Sequence, residues 1–573
     1  MRYQDREWRN FTALPSTGGT TADPKLASGA PDVLPLLSRD IVEDALQRLP
    51  SQAITQTLRH GVVPVPWHPD QLLFATCGPK GAEHAGRHGL SVVARVSPSD
   101  FHNSVGHIWG EKILGQATLG LFNTSPHLSA KRRLTANQIA AFLTLVACFG
   151  MGLALLPEGA VWTAASALIG MFFFSVVAMR LFCLFPLRPS LAGNDENLAD
   201  AELPVYSVLV PMFKETSVLN QLLRALSNLN YPAEKLDIKI IVEEFDITMQ
   251  RALLKHNLPA QIEVIVVPRG SPQTKPKALN YALQFCRGQL LTIYDAEDIP
   301  EPNQLREAAR KFAHSGEKVA CLQAKLTFYN PDENWLTRQF SVEYATLFGL
   351  ILPALAALNL PLPLGGTSNH FRTGILHKIG GWDPYNVTED ADLGLRLARL
   401  GYRTGVLDSH TFEEATTQFM NWLRQRARWI KGFMQTWLVH MRNPLRATRE
   451  LGLAGFWILQ AFTAGIFVSA LFHPFFIAVT LWYLASGPLN PSFLLTVLNC
   501  LNLGLFALGY CVTMLAGCIA LRKRGLGGWW FTIATMPVYW LLISVAAWLA
   551  LWQFIFAPFT WNKTEHGLSK LQG

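Results

Sequence analysis

The run Val387-Thr388-Glu389-Asp390 is followed 35 positions on by Gln425-Arg426-Ala427-Arg428-Trp429, and long uncharged apolar runs come next. A carboxylate can take the proton of a sugar hydroxyl. A guanidinium holds a diphosphate through its fork of donors, and an indole offers a flat apolar face to a sugar ring. A second acidic group, Tyr294-Asp295-Ala296-Glu297-Asp298-Ile299-Pro300, follows an apolar strand-like run. Like charges this close are costly unless a cation shares them, and hard oxygen donors suit Mg²⁺ or Mn²⁺ bridging a diphosphate. Standing alone, these acids would equally read as an acidic helix start before Pro300. Glu215, after Tyr206-Ser-Val-Leu-Val-Pro211-Met-Phe-Lys, is placed to accept from a base or ribose, and equally to serve as a helix-dipole partner.

These residues must be positioned by the region from Leu203 to about Met441. Apolar β-type runs at Tyr206 to Pro211, Ile238 to Glu243, Ile262 to Val267 and Gln289 to Tyr294 alternate with helical patterns such as Thr216 to Asn228 and Lys275 to Cys286. Such alternation predicts a mostly parallel sheet with helices on both faces. Ligands of these sheets bind outside the carboxyl ends of the strands, where the acidic groups fall.

Taken together, Glu215, Asp246, Asp295-Ala-Glu297, Thr388-Glu389-Asp390 and Gln425-Arg-Ala-Arg428-Trp429 resemble the processive inverting glycosyltransferases of family two, the group of cellulose, chitin and hyaluronan synthases. The resemblance covers about residues 203 to 567 and implies a GT-A-like α/β domain that binds a nucleotide sugar. Carried over by position, Asp246 would contact the nucleoside, and Asp295 and Glu297 would hold the metal and the diphosphate. The second acid of that element is a glutamate here, and Glu244-Phe245-Asp246 stands where two adjacent aspartates are common. Lys277, in Thr274-Lys-Pro-Lys-Ala-Leu-Asn280, matches a lysine near the donor diphosphate. Asp390 matches the general base, Glu389 its neighbour, Gln425 and Arg428 the donor-side groups, and Trp429 the acceptor platform. Gly366 and Thr367, in Leu364-Gly-Gly-Thr-Ser-Asn-His370, match the segment beside the acceptor. Lys563 and Thr564, in Phe559-Thr-Trp-Asn-Lys-Thr-Glu-His-Gly567, resemble a gating loop that closes over the donor. The bland alternative for Gln425 to Trp429 is an amphipathic interfacial helix anchored by Trp422, Trp429 and Trp437, and the two readings are compatible.

The implied activity is polymerisation of a β-linked glycan, a β-glucan, from a UDP-sugar, with UDP-glucose as first choice, and its translocation. Two rivals remain: single transfer to a lipid or lipid-phosphate acceptor, and a degenerate transferase serving as an assembly or receptor protein. The expected partners are the UDP-sugar donor, the growing glycan, the bilayer, Mg²⁺ or Mn²⁺, and envelope export proteins.

Composition agrees with a membrane protein: 50% of the 573 residues are hydrophobic and only 16% are charged. Ile139 to Leu156 and Val161 to Met179 carry no charge and approach the roughly 20 residues that cross a bilayer. Lys131 to Arg133 before this hairpin and Arg180 and Arg188 after it put both flanks in the cytoplasm. Leu453 to Gly487 is too long for one straight span and is expected to kink near Pro474, tilt or split. Pro491 to Leu521 forms another span, closed by Arg522-Lys523-Arg524. Gly525 to Pro558, rich in tryptophan, is expected to lie at the interface or re-enter, which keeps the gating-like loop cytoplasmic. Leu347 to Leu362 is expected in the interface.

The resulting division is a disordered tail (1–30), a small α+β regulatory or docking module (31–130), a transmembrane hairpin (137–186), the cytoplasmic transferase domain (200–441), transmembrane helices (453–521), and the interfacial or re-entrant helix with its gating-like loop (525–573). The expected place is a bacterial inner membrane. In the module, the helical run Ile41 to Arg48, strands Gly61 to Trp67, Gln71 to Thr76 and Ser91 to Val96, and helix Ser99 to Gly110 resemble the N-terminal domain of type II secretion ATPases. Some of those bind cyclic di-GMP, so sensing stands beside plain docking. Met1 to Arg39 lacks the apolar core of a signal peptide. Regulation by a ligand is expected to act through residues before Arg133 or another chain. Eight scattered cysteines show neither metal-ligand nor disulfide spacing. The net charge of +8 suits an anionic leaflet, and no basic patch interleaved with aromatics points to nucleic acid.

Overall fold

The computed structural model of the protein describes residues 34–49, 51–65, 73–185, 198–486 and 493–557. The expected tail at 1–30, Arg188, and the loop bearing Lys563 and Thr564 lie outside the described residues.

Eleven strands form two sheets among the described residues. β1 (Val62–Val65), β2 (Leu73–Cys77) and β3 (Ser91–Val96) make the small one, with β1 antiparallel and β3 parallel to β2. The large sheet has the order β6-β5-β4-β7-β10-β9-β11-β8. Its strands are β4 (Tyr206–Met212), β5 (Leu236–Glu243), β6 (Ile262–Val267), β7 (Leu290–Ile293), β8 (Ile299–Pro300), β9 (Val319–Phe328), β10 (Asn369–Arg372) and β11 (Arg403–Glu413). Near-continuous apolar runs such as Tyr-Ser-Val-Leu-Val in β4 are buried throughout because helices cover both faces. The expectation of a mostly parallel sheet holds for β6-β5-β4-β7 and for β9 with β11, and the exceptions are β10 and the edge strand β8, antiparallel to β11. Strand β10 runs antiparallel to both β7 and β9.

The α+β unit at the N-terminus does not stand apart from the domain of the large sheet. Its last helix does not stop at Gly110 and runs over Pro98–Thr124, opened by the Ser97 hydroxyl accepting from the Asp100 N–H at 3.0 Å. Continuation is favoured by packing: Phe101, Trp109, Ile113 and Ala117 share one apolar core with Ala278, Tyr281, Phe285 and Trp382. The Asn280 amide ties the two units, donating to the carbonyls of Ala117 (3.1 Å) and Trp382 (2.8 Å). Gly78 and Pro79 do not break the chain. They open helix Gly78–Arg87, since proline is tolerated in a first helical turn.

Among the described residues six helical stretches are long and apolar enough to cross a bilayer: Ala136–Leu155, Gly159–Phe182, Trp335–Ala357, Pro444–Ser486, Phe493–Lys523 and Met536–Phe556. Trp335–Ala357 differs from the others in being mostly inside the protein. The apolar Leu347 to Leu362 run is thus the end of a helix that begins twelve residues earlier, with Arg338 and Glu343 on it. The chain at Leu453 to Gly487 does not bend at Pro474, which sits within helix Gly465–Ser486. The break falls at Gly452, where φ is 71°, and a π-turn follows at Leu459–Ala464.

Two helices carry the predicted chemistry, and a buried polar knot ties them. Helix Glu389–Arg399 begins with the acidic pair, and helix Phe419–His440 carries Gln425 to Trp429. Fully buried Asp392 accepts from Arg396 Nε at 2.8 Å, and His440 Nε2 lies 3.1 Å from its other oxygen. Arg396 also donates to the carbonyls of Ile379 and Gly381, which satisfies the rest of its fork. Replacing Asp392 by Ala leaves the Arg396 charge buried without its partner, which costs about 3–5 kcal/mol. Thermal unfolding of the detergent-solubilised variant should show a lowered midpoint; an unchanged midpoint contradicts the anchoring role.

Candidate active site

One cavity of about 750 Å³ collects most of the residues singled out by sequence. Glu215 reaches it from the loop after β4, Asp295 and Glu297 from the end of β7, and Gly366 and Thr367 from the segment before β10. Glu389 and Asp390 reach it from the first turn of their helix, and Gln425, Arg428 and Trp429 from helix Phe419–His440. The loop before the acidic pair is pinned to that helix. Asn386 donates to the Thr436 hydroxyl at 2.8 Å, and the Gln435 side chain accepts from the Val387 N–H at 3.2 Å. Gly432 has no Cβ because the Thr388 side chain fills that place.

Two predicted residues lie one layer behind the wall. Asp246 does not line the cavity: it caps helix Ile247–Leu254 by accepting from the Met249 N–H, and it accepts from the Lys214 N–H at 2.6 Å. A buried carboxylate so supplied is a backbone anchor for the strand tip. Lys277 is fully buried and pairs with Glu243 at 2.8 Å, so Lys275, two positions earlier, is the lysine on the cavity wall. A Thr-Lys-Pro-Lys run at a helix start offers both, and only the orientation of the first turn chooses between them.

Lys275 sits at the electrostatic centre. Its ammonium pairs with Asp295 and donates to the Gly366 carbonyl at 2.8 Å, and Asp295, Glu389 and Asp390 hold its pKa above the usual lysine range despite burial. Burial, reinforced by Asp295, pushes Glu297 up to about 7. Burial and then the Asp390 charge push Glu389 up to about 8. Asp390 is also raised by burial, but the Ala391 N–H at 2.7 Å, Lys275 and Arg428 favour its charged form. Of the pair, Glu389 therefore keeps its proton near neutrality and Asp390 is the one that ionises. A Cβ on Gly366 would stand 3.3 Å from Asp390 Oδ2, so the glycine leaves room in front of this carboxylate.

The Thr367 hydroxyl donates to Asp298 and fixes the acidic loop, while Gln425 accepts from the Thr416 hydroxyl at 3.2 Å. Trp429 packs at 5.8 Å from Phe340 and 6.4 Å from Tyr344, with the Arg426 guanidinium 4.9 Å over its ring. Arg426 itself holds Glu343 with two bonds of 2.6 Å and donates to the Tyr539 hydroxyl at 2.9 Å. This latch of helices Trp335–Thr346, Phe419–His440 and Met536–Phe556 had no sequence signal, because its members lie far apart in the chain.

Asp295 and Glu297 are hard oxygen donors facing one space, and Mg²⁺ typically takes one or two carboxylates and completes its shell with phosphate oxygens and water. The pair fits such an ion once a diphosphate is present. Among the described residues no three His, Cys, Asp or Glu side chains converge to form a closed cage.

Residues 204–432 match the family model described as glycosyltransferase like family 2, and the fold of this part of the chain is GT-A-like. The chain is 28% identical over 40% of its length to a probable glycosyltransferase, YdaM, of Bacillus subtilis, spanning 56% of that protein. It is 26% identical over 52% of its length to the β-monoglucosyldiacylglycerol synthase of Synechocystis, spanning 62% of it. It is 30% identical over 43% of its length to the UDP-forming cellulose synthase catalytic subunit of Xanthomonas axonopodis pv. citri, spanning 34% of it. The match thus covers between a third and two thirds of each relative.

The placement of the two lysines separates their effects. Lys275→Met should weaken binding of a nucleoside diphosphate with Mn²⁺ about tenfold or more, measured by calorimetry, because it removes a charge-assisted donor and leaves Asp295 unbalanced. Lys277→Met should lower thermal stability and leave that affinity within about twofold. The reverse pattern contradicts the geometry.

Proposed function

We propose that the chain is a membrane-embedded glycosyltransferase that moves a hexosyl group from a UDP-sugar, UDP-glucose first, to the end of a growing β-linked glycan and passes the product among its own helices. The observation that supports this most is the continuity of the cavity. It runs from Asp295 and Glu297 past Asp390 and Trp429 to Gly170, Asn502 and Tyr510 on the candidate spanning helices. A relative named as a UDP-forming cellulose synthase subunit supports the choice of donor and product.

In this reading Trp429 stacks the terminal acceptor sugar and Asp390 takes the proton of its attacking hydroxyl. The oxygen attacks the anomeric carbon from the face opposite the nucleotide, so one displacement forms the new glycosidic bond, breaks the bond to the diphosphate and inverts the configuration. Lys275 and Arg428 receive the negative charge that builds on the departing diphosphate. A Mg²⁺ or Mn²⁺ held by Asp295 and Glu297 would supply further neutralisation there.

The catalytic domain is read as cytoplasmic against a bacterial inner membrane, with helix Met536–Phe556 lying along the interface. Its two ends support this placement. Tyr539 near its start meets Arg426, while the carbonyls of Ile555 and Ala557 lie within 3.4 Å of Arg133 and Lys431. A crossing helix of this length would place its ends about 30 Å apart in depth, on opposite faces of the bilayer, whereas both ends here meet residues of helix Phe419–His440. The N-terminal unit is read as a docking or sensing module, with cyclic di-GMP and envelope export proteins as the partners that the resemblance names.

A second reading, single transfer to a lipid acceptor, draws support from the apolar inner wall of the cavity, where Phe173, Val176, Phe348, Phe476 and Phe506 would suit an acyl chain. It is also supported by the relative named as a glucosyldiacylglycerol synthase. Gel analysis of the radiolabelled product separates the two: a ladder or immobile polymer supports the first, and a single lipid-extractable species the second.

Asp390→Asn should abolish both transfer and donor hydrolysis while leaving UDP affinity unchanged. In the unsubstituted protein the base must be ionised. Because burial raises Asp390, kcat/KM should rise with pH through a limb above the usual carboxylate range of about 4. A rate that is flat from pH 4 to 8, or that falls across it, contradicts the assignment.

A further inference from the structure

Glu413, the last residue of β11, was not singled out by any sequence pattern. Its backbone carbonyl accepts from the Tyr329 N–H at 3.0 Å, so the strand end is fixed, and its side chain lines the cavity. The Oε1 atom is buried and makes no hydrogen bond with any described residue. A buried polar atom left unpaired is costly, and in a cavity wall the partner is supplied by what binds there. Asp298 is a useful contrast. Within the acidic loop, its Oδ2 accepts from the Thr367 hydroxyl and the Asp295 N–H; its Oδ1 is also without a hydrogen-bond partner among the described residues, but Asp298 does not line the cavity. Asp298 therefore holds the loop, whereas Glu413 addresses the cavity.

The neighbours of Glu413 define where it points. Glu297, Asp295 and Lys275, the groups assigned to the diphosphate, line the same cavity and interact with Glu413 electrostatically, and so does Tyr344, part of the aromatic wall behind Trp429. The unit that bridges these two sets during transfer is the hexosyl group itself.

Resting on the reading of the cavity as a glycosyltransferase site, we propose that Glu413 binds a hydroxyl of the hexosyl group being transferred and discriminates between donor epimers. The unpaired Oε1 on the cavity wall is an acceptor for such a hydroxyl. A site that pairs a substrate hydroxyl rejects the epimer that lacks it, because the buried group is then left unpaired.

The test compares the full-length protein with Glu413→Ala and Glu413→Gln, in detergent with Mn²⁺. It reads the KM for UDP-glucose and UDP-galactose and the Kd for UDP alone, which also reports folding. Glu413→Ala should raise the KM for the preferred donor about ten- to a hundredfold and collapse the preference between the epimers, with the UDP Kd within about twofold. Glu413→Gln, which keeps the volume and a hydrogen-bonding end, should restore most of the affinity and part of the preference. A UDP Kd that weakens in step with KM assigns the residue to the diphosphate and overturns the proposal. So does an epimer ratio unchanged in both variants while the unsubstituted protein turns over. An unsubstituted protein that cleaves neither donor overturns the reading of the cavity, and this assignment with it.

Discussion

The arrangement depends on the buried carboxylate of Asp392. It binds Arg396 on its own helix and meets His440 at the end of the helix that carries Arg428 and Trp429. One helix delivers the proposed base at its first turn, and the other delivers the diphosphate cation and the aromatic platform. Reaction between a bound hydroxyl and an anomeric carbon tolerates little error in approach, so the two helices must be held in register. An apolar contact would leave them free to slide. A charged pair with each guanidinium nitrogen of Arg396 directed to a named acceptor sets one alignment, which is the kind of specificity a buried ion pair can give.

Charge then decides what the cavity accepts. Asp295, Glu297, Glu389, Asp390, Glu413 and Glu414 all face it, with Lys275 and Arg428 among them. So many carboxylates do not ionise together in a poorly solvated space, and Glu297 and Glu389 are accordingly displaced toward neutral pH. An anionic donor enters such a space only with cations to meet it. In the proposed reading the two basic side chains and a divalent ion at Asp295 and Glu297 meet that need, and the Ala391 N–H, Lys275 and Arg428 support the charge of Asp390. Away from this acidic end the wall turns apolar and aromatic, so a single cavity presents a donor surface and a product surface in succession.

Much of this was legible in the chain because the residues are local. Strand-tip acids, the Thr-Glu-Asp run and the Gln-Arg-Ala-Arg-Trp run each lie within a few positions, and β4 to β7 announce themselves as apolar runs. What was missed depends on orientation or on distance in sequence. Lys275 and Lys277 are indistinguishable until the first turn of their helix is set against the sheet, and Asp246 looks like a ligand contact until its oxygens are seen on backbone N–H groups. The helix at Pro98 runs past Gly110 because a tertiary surface stabilises it, which local propensity does not contain. Strands β9 to β11 and the Arg426–Glu343–Tyr539 latch join segments 46 to 196 residues apart, and no periodicity reports such pairings.

The most direct test is an electron-microscopy map of the full-length protein in detergent with UDP and Mn²⁺. The account predicts density for the diphosphate between Lys275, Arg428, Asp295 and Glu297, with the ion on the two carboxylates and open space leading from Asp390 toward Tyr510. Nucleotide bound elsewhere, or side chains of Asp295, Asp390 and Arg428 facing separate spaces, would contradict it.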